Sequence, residues 1–327
     1  MIPTVRFIIA NSVFDCSSKL LSSPPQFVSR ILMSDPTPIS RRSALKNLAM
    51  GSALAAAGAA SAVTGKAQSS AVSTGKYRHS ACRWCYNSMP LEELCDRGKD
   101  LGLSSIELVS VEELPILASR GLDCAMVWGV PGGIVDGLND RANHDAIATF
   151  MAEKIPAMAD AGQTNMIVFS GNRRGLSDAD GLEICAEGLD RIVPIAQQHG
   201  VTISMELLNS KVDHGDYQCD RTPWGVQLCE KVGSEHFKLL YDIYHMQIME
   251  GDMIRTIRDH HQWISHYHTG GNPGRNELDG SHQEINYPAV MRAIGDTGYT
   301  GFVGQEFIPT EDDPMEPLRR SVELCTV

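Results

Sequence analysis

Positive charge is scarce in this chain: 28 Lys and Arg stand against 40 Asp and Glu in 327 residues, a formal net charge of −12. No run of Lys or Arg with interleaved aromatic residues occurs. Binding phosphates needs clustered cations, so nucleic acid is excluded as the main partner. Strongly apolar runs are missing too. The stretch from Asn47 to Ala62 is broken by Gly and Ser. It falls short of the roughly 20 apolar residues a span requires, so no stable membrane insertion is expected. Neither a second Cys-x-x-Cys nor a His pair accompanies Cys82-x-x-Cys85, which argues against a zinc site there. Finally, Cys82-Arg83-Trp84-Cys85-Tyr86 stands after the first apolar run, where an open nucleotide-binding sheet would need a Gly-rich loop.

The N-terminal quarter differs from the rest. Ser40-Arg41-Arg42-Ser43-Ala44-Leu45-Lys46 leads into an Ala/Gly-rich tract that ends in Ala60-Ser61-Ala62. Adjacent arginines, a mildly apolar tract and a small-residue cleavage site resemble a twin-arginine export signal. Residues 1–75 are therefore expected to be export signal and linker, and the destination periplasmic or extracytoplasmic. Phe7-Ile8-Ile9-Ala10 and its neighbours fit no export n-region, so translation is expected to start at Met33. The scattered cysteines beyond this segment, among them Cys95, Cys185 and Cys229 within helical patterns, are expected to be free core thiols.

From Tyr77 onward, short apolar runs alternate with amphipathic stretches. Strands are expected at Arg78–Cys82, Ser105–Val109, Leu122–Trp128, Asn165–Ser170, Val201–Leu207, Phe237–Ile243, Ile264–His268 and Gly301–Phe307, each followed by a helix. Eight such pairs in about 250 residues predict an α/β fold, a single (β/α)₈ TIM barrel over residues 76–327. In such a barrel the functional side chains project from the C-terminal strand ends. Glu206, Asp242, His268 and Glu306 stand at the ends of four consecutive strands. A buried carboxylate cluster repels itself without a cation. Three carboxylates and one imidazole suit a single divalent metal ion, Mn²⁺, Mg²⁺ or Co²⁺ foremost and Zn²⁺ next.

Four segments carry a family resemblance: Ser204-Met205-Glu206-Leu207-Leu208-Asn209, Tyr241-Asp242-Ile243-Tyr244-His245-Met246-Gln247, His266 through Glu277, and Gly304-Gln305-Glu306-Phe307. They resemble the xylose isomerase-like barrel superfamily, in its hydroxypyruvate isomerase and ketose 3-epimerase branch. The resemblance implies a metal held by Glu206, Asp242, His268 and Glu306. Glu206 and Glu306 would act as the acid/base pair on a small carbohydrate, passing a proton through an enediolate. It implies substrate contacts from His245 and Arg275, with Glu107 as a further pocket position, and barrels that often form homo-oligomers. His268 stands where hydroxypyruvate isomerases often have Gln and ketose epimerases have His. Together with the export signal this favours a free ketose or an oxidised sugar over hydroxypyruvate. Two alternatives remain at this stage, a metal-dependent keto-glycoside lyase or hydrolase and a non-catalytic carbohydrate-binding barrel. A nuclease on this barrel would want more His ligands and a basic surface.

Other polar and aromatic residues carry weaker signals. His260-His261 reads as a solvated pair, and His79 is placed evenly between core and barrel mouth. His282 and Glu284 lie in the loop after Arg275, while Trp84, Tyr86 and Trp128 follow strand ends and could wall an apolar side of the pocket.

Overall fold

The computed structural model describes residues 77–327. The expected export signal, its cleavage site, the Met33 start and the linker lie outside the described residues. Strands β1 (Arg78–Cys82), β2 (Ser105–Glu107), β3 (Asn165–Val168), β4 (Thr202–Glu206), β5 (Phe237–Asp242), β6 (Ile264–Thr269) and β7 (Phe302–Gln305) form one sheet. Its order is β2-β1-β7-β6-β5-β4-β3, and every pairing is parallel. These strands are buried along almost their whole length, as sheets covered on both faces are, so they read as continuous apolar runs.

The fold is thus TIM-barrel-like, a curled seven-stranded parallel sheet, and the eighth regular strand expected at Leu122–Trp128 is not formed. That segment meets β2 and β3 only through isolated parallel bridges, Ser105 with Asp123, Val109 with Val127, and Val127 with Met166. The cause is local. Side chains take up the backbone groups a strand ladder would use: Ser105 Oγ accepts from Ala125 N at 2.8 Å and Gln163 Oε1 from Cys124 N at 2.9 Å. Asn165 Nδ2 donates to Ala125 O at 3.1 Å. Each backbone group so occupied is lost to the ladder.

Helices α1 (Leu91–Asp100), α2 (Leu114–Ala118), α3 (His144–Asp160), α4 (Asp178–His199) and α5 (Thr222–Val232) follow the expected rhythm. The longest, α4, opens on Ser177, whose side chain accepts from Asp180 N. It closes on Gly200 at φ 66°, a left-handed cap that glycine adopts without strain. Next comes α6 (Ile243–Met249), which the sequence pattern did not reveal, and then α7 (Met253–His260), α8 (Tyr287–Asp296) and α9 (Met315–Cys325). All eight cysteines among the described residues are free, and all but Cys85 are buried. No helix of the described residues is long and apolar enough to cross a membrane.

His79 belongs to the core and not to the barrel mouth. It sits near the start of β1, is 4% exposed, and its Nε2 lies 3.2 Å from Thr326 Oγ1 on the chain that follows α9. Burial pushes its imidazole down to about 4. The unfolded chain, titrating near 6.5, therefore takes up a proton that the fold refuses between those values. Stability should fall as pH drops from about 6.5 towards 4, by up to about 3 kcal/mol from this residue. Denaturant unfolding across that window should show a shallower pH slope in His79→Gln. An unchanged slope would contradict the assignment.

Candidate metal centre and active site

Parallel register brings the strand ends to one level. Glu206 closes β4, Asp242 closes β5, His268 lies one residue before the end of β6, and Glu306 follows β7 directly. Asp242 pairs with His268, and His268 with Gly304. Gly304 is required: a Cβ there would sit 2.7 Å from Glu107 Oε1 and 2.8 Å from His268 Cδ2. One ligand atom from each of Glu206, Asp242, His268 and Glu306 lies within 4.8 Å of the others, and all four residues are buried.

His268 Nδ1 stands 2.8 Å from Glu306 Oε2 and 3.4 Å from Glu206 Oε1. Arg275 Nη2 reaches Asp242 Oδ2 at 3.1 Å and Glu306 Oε2 at 2.5 Å, and Trp84 Nε1 donates to Glu306 Oε1 at 2.6 Å. Burial alone would raise the Glu306 carboxyl, but Arg275 and His268 hold it well below its usual range. Glu206 is raised by burial and by Glu306. Burial pushes Asp242 up to about 8 against the pull of Arg275. Glu206 Oε1 is buried without a hydrogen-bond partner, 3.4 Å from His268 Nδ1. Buried polar atoms rarely stay unpaired. An unpaired carboxylate oxygen within a three-carboxylate, one-imidazole donor set fits a divalent cation.

Glu107, a further pocket position by the family resemblance, is not among the residues that line the cavity above the cluster. It is 0% exposed and lies behind His268. Its Oε1 stands 2.6 Å from His268 Nε2 and 2.9 Å from His266 Nε2. Burial works against this charge, yet His266 and His268 hold the carboxyl well below its ordinary value. Burial likewise opposes charge on His268, while Cys82, Glu306 and Glu107 outweigh it and hold the imidazole well above its ordinary value. Glu107 thus fixes the ring so that Nδ1 faces the cluster. Cys82 Sγ adjoins the same pair at 3.7 and 3.8 Å, so Cys82, Glu107 and His268 form a second close group of ligand types. Its Glu107–His268 contact is already a direct hydrogen bond.

The Asp242-x-x-His245 spacing has a structural cause. Asp242 Oδ1 caps α6 by accepting from His245 N at 3.0 Å, which leaves Oδ2 for the cluster. His245 Nε2 comes within 3.7 Å of that oxygen. Asn209, to which sequence reasoning gave no role, sets the His245 tautomer. Its Oδ1 accepts from Val212 N and Asp213 N, so its Nδ2 donates to His245 Nδ1 at 2.6 Å. The proton must then sit on Nε2, pointing towards Asp242. Burial and Arg275 keep this ring neutral.

Above the cluster opens a cavity of about 400 Å³ whose polar lining is Glu206, His214, Arg275 and Glu306. Trp84 and Trp128 line it, whereas Tyr86 is buried in the core. Glu284 serves the loop instead of the cavity, accepting from Asn272 Nδ2 at 2.6 Å and Gln247 Nε2 at 3.0 Å.

Metal binding requires deprotonated ligands. With Asp242 titrating near 8 and His268 held protonated, affinity for Mn²⁺ should rise with pH across neutrality. Calorimetry at pH 7 in buffers of different ionisation enthalpy should show at least one proton released per ion, and no release would contradict this. Glu107→Gln, which weakens the hold on the His268 ring, should weaken Mn²⁺ binding by roughly 10–100-fold. Unchanged affinity would remove Glu107 from the metal centre.

A family model described as a xylose isomerase-like TIM barrel matches residues 99–325. Over 35% of its length the chain is 34% identical to a 2-oxo-tetronate isomerase of Cupriavidus necator, covering 43% of that protein. Over 32% of its length it is 35% identical to a hydroxypyruvate isomerase of Escherichia coli, covering 40% of that one. The chain thus matches less than half the length of either relative. A crystal structure of an AP endonuclease, family 2, from Brucella melitensis superposes with a TM-score of 0.65 at 22% identity, covering 74% of this chain and 96% of that one. At that identity the likeness speaks for the fold alone. With the family model spanning well over half of the chain, and the parallel sheet and its strand-end cluster agreeing with it, the chain belongs to the xylose isomerase-like TIM barrel family.

Proposed function

We propose that this protein is a divalent-metal-dependent isomerase or epimerase acting on a small keto sugar by proton transfer through an enediolate. One observation carries the reading: two buried glutamates, Glu206 and Glu306, face one cavity and share a ligand cluster with Asp242 and His268. The isomerase names of the curated relatives support the same chemistry.

Glu206, Asp242, His268 and Glu306 would hold the ion, Mn²⁺, Mg²⁺ or Co²⁺ foremost and Zn²⁺ next. When bound, it supplies Lewis-acid stabilisation of negative charge developing on the substrate carbonyl. The chain's own residues do the rest. One glutamate removes the proton alpha to the carbonyl, and the other returns a proton at the adjacent carbon or on the opposite face. Glu306 is fixed for this by Trp84 on one oxygen and Arg275 on the other. His245, neutral with its proton on Nε2, offers a donor beside Asp242. Arg275 stands at the cavity floor at φ 57°, a left-handed conformation that costs a non-glycine residue of the order of 1 kcal/mol and clusters at functional sites. We further propose that the reaction takes place outside the cytoplasm, on the strength of the Arg41-Arg42 signal pattern.

A metal-dependent lyase or hydrolase on keto-glycosides would begin with the same proton abstraction, and product analysis separates it from isomerisation. In D₂O, Mn²⁺-loaded protein should place deuterium next to the carbonyl of its substrate, and a chelator should stop it. Glu206→Gln and Glu306→Gln should each cut that exchange by about 100-fold or more, with the circular dichroism spectrum unchanged. Exchange that survives in both variants would end the acid/base assignment.

A further inference from the structure

Resting on the isomerase or epimerase reading, we propose that His214 carries a proton between two neighbouring substrate oxygens. The reaction it serves moves a carbonyl to the adjacent carbon, since inversion at a single carbon needs no such transfer.

The chain around His214 is pinned, while its ring is left free. His214 N donates to Asn209 O at 3.0 Å, and His214 O accepts from Tyr217 N at 3.0 Å. Tyr217 is buried, accepts from Ser170 N at 3.1 Å and donates to the backbone oxygen of Glu206 at 3.0 Å. Asp213, the preceding residue, accepts from the Tyr244 hydroxyl at 2.8 Å and from Asn209 Nδ2 at 2.7 Å. The loop after β4 is thereby tied to the strand end that bears Glu206. It sets the half-buried His214 imidazole on the cavity lining beside Glu206 and Glu306.

Two imidazoles meet here and differ in what they can do. The rings of His214 and His245 lie 5.3 Å apart, tilted by 58°. On His245, Asn209 occupies Nδ1 and the proton sits on Nε2, so no lone pair is left to receive a proton. Among the described residues neither ring nitrogen of His214 is taken by a hydrogen bond. Burial and Arg275 hold this ring neutral against the pull of Asp213 and Glu306, which leaves one nitrogen unprotonated.

Other polar groups on the lining are unsuited. Arg275 and the indole N–H groups of Trp84 and Trp128 only donate, and Glu206 and Glu306 are committed to the carbon-bound proton. An ion held by the four-residue cluster would relieve negative charge developing on oxygen. Passing a proton from one oxygen to the next still needs a group that accepts it and then gives it up.

The step balances without a co-reactant. A glutamate takes the proton from the hydroxyl-bearing carbon, whose electron pair forms the C=C bond as the carbonyl pair moves onto oxygen. The free nitrogen of His214 takes the hydroxyl proton. The imidazolium so formed gives it to the former carbonyl oxygen. A carbonyl then forms at the neighbouring carbon, and the C=C pair takes a proton from a glutamate at the old one. Neutral His214 is regenerated.

The test uses the Mg²⁺-loaded chain in D₂O with hydroxypyruvate, dihydroxyacetone and D-fructose. Wild-type protein should yield the carbonyl-shifted aldehyde of the compound it accepts. His214→Gln keeps a donor and an acceptor but cannot pass a proton on. In it, deuterium should still enter recovered substrate while aldehyde formation falls by about 100-fold. A merely structural role would lower both together and leave their ratio unmoved. A second measurement needs no metal: long-range ¹H–¹⁵N spectra of the chain at pH 7 should show His214 neutral and His245 protonated on Nε2. Exchange and product that fall together or stay unchanged in His214→Gln, an epimer as the only wild-type product, or a charged His214 ring would overturn the proposal and leave the isomerase or epimerase reading standing. No exchange by the wild-type chain with any of the three compounds would sink that reading and the proposal with it.

Discussion

Three carboxylates buried within a few ångströms of one another repel, and the whole upper end of the sheet is arranged around that repulsion. Arg275 lies between Asp242 and Glu306, and His268 between Glu306 and Glu107. Even so, Glu206 and Asp242 remain raised by burial, and Glu206 Oε1 is left without a partner. The protein's own groups therefore compensate the cluster only in part. A divalent cation would supply what is missing, and the donor set suits one.

That constraint reaches outward through residues that touch no cavity. Glu107 holds the far side of the His268 ring and is itself held by His266. Asn209 holds the far side of the His245 ring, and the backbone amides of Val212 and Asp213 hold Asn209. Each imidazole is thereby fixed in orientation by a partner one step further from the site. Gly304 belongs to the same scheme, because a side chain on β7 at that point would drive Glu107 and His268 apart.

Strand ends were the most legible part of the sequence. Glu206, Asp242, His268 and Glu306 could be picked out because parallel strands in a curled sheet place their C-terminal residues at one level, whatever the loops do. The expected strand at Leu122–Trp128 failed because its backbone groups are taken by Ser105, Gln163 and Asn165, distant side chains that local periodicity does not register. Helix α6 was hidden for another reason. It begins on Asp242 itself, so one residue serves as strand end, helix cap and cluster ligand, and the apolar pattern of β5 runs straight into it. For Glu107, strand alternation shows that a side chain points inward but not whether it meets substrate or the back of a histidine. Asn209 offered one usable signal, an amide three residues past Glu206, but its partner His245 lies far away in sequence.

The central claim is that the four strand-end residues hold a single divalent ion. Titration of the metal-free chain with Mn²⁺, followed by electron paramagnetic resonance of the free ion, tests it most directly. One ion should bind per chain at pH 8, and that binding should be lost in Asp242→Ala. Two ions per chain, or one ion bound equally well by Asp242→Ala, would contradict it.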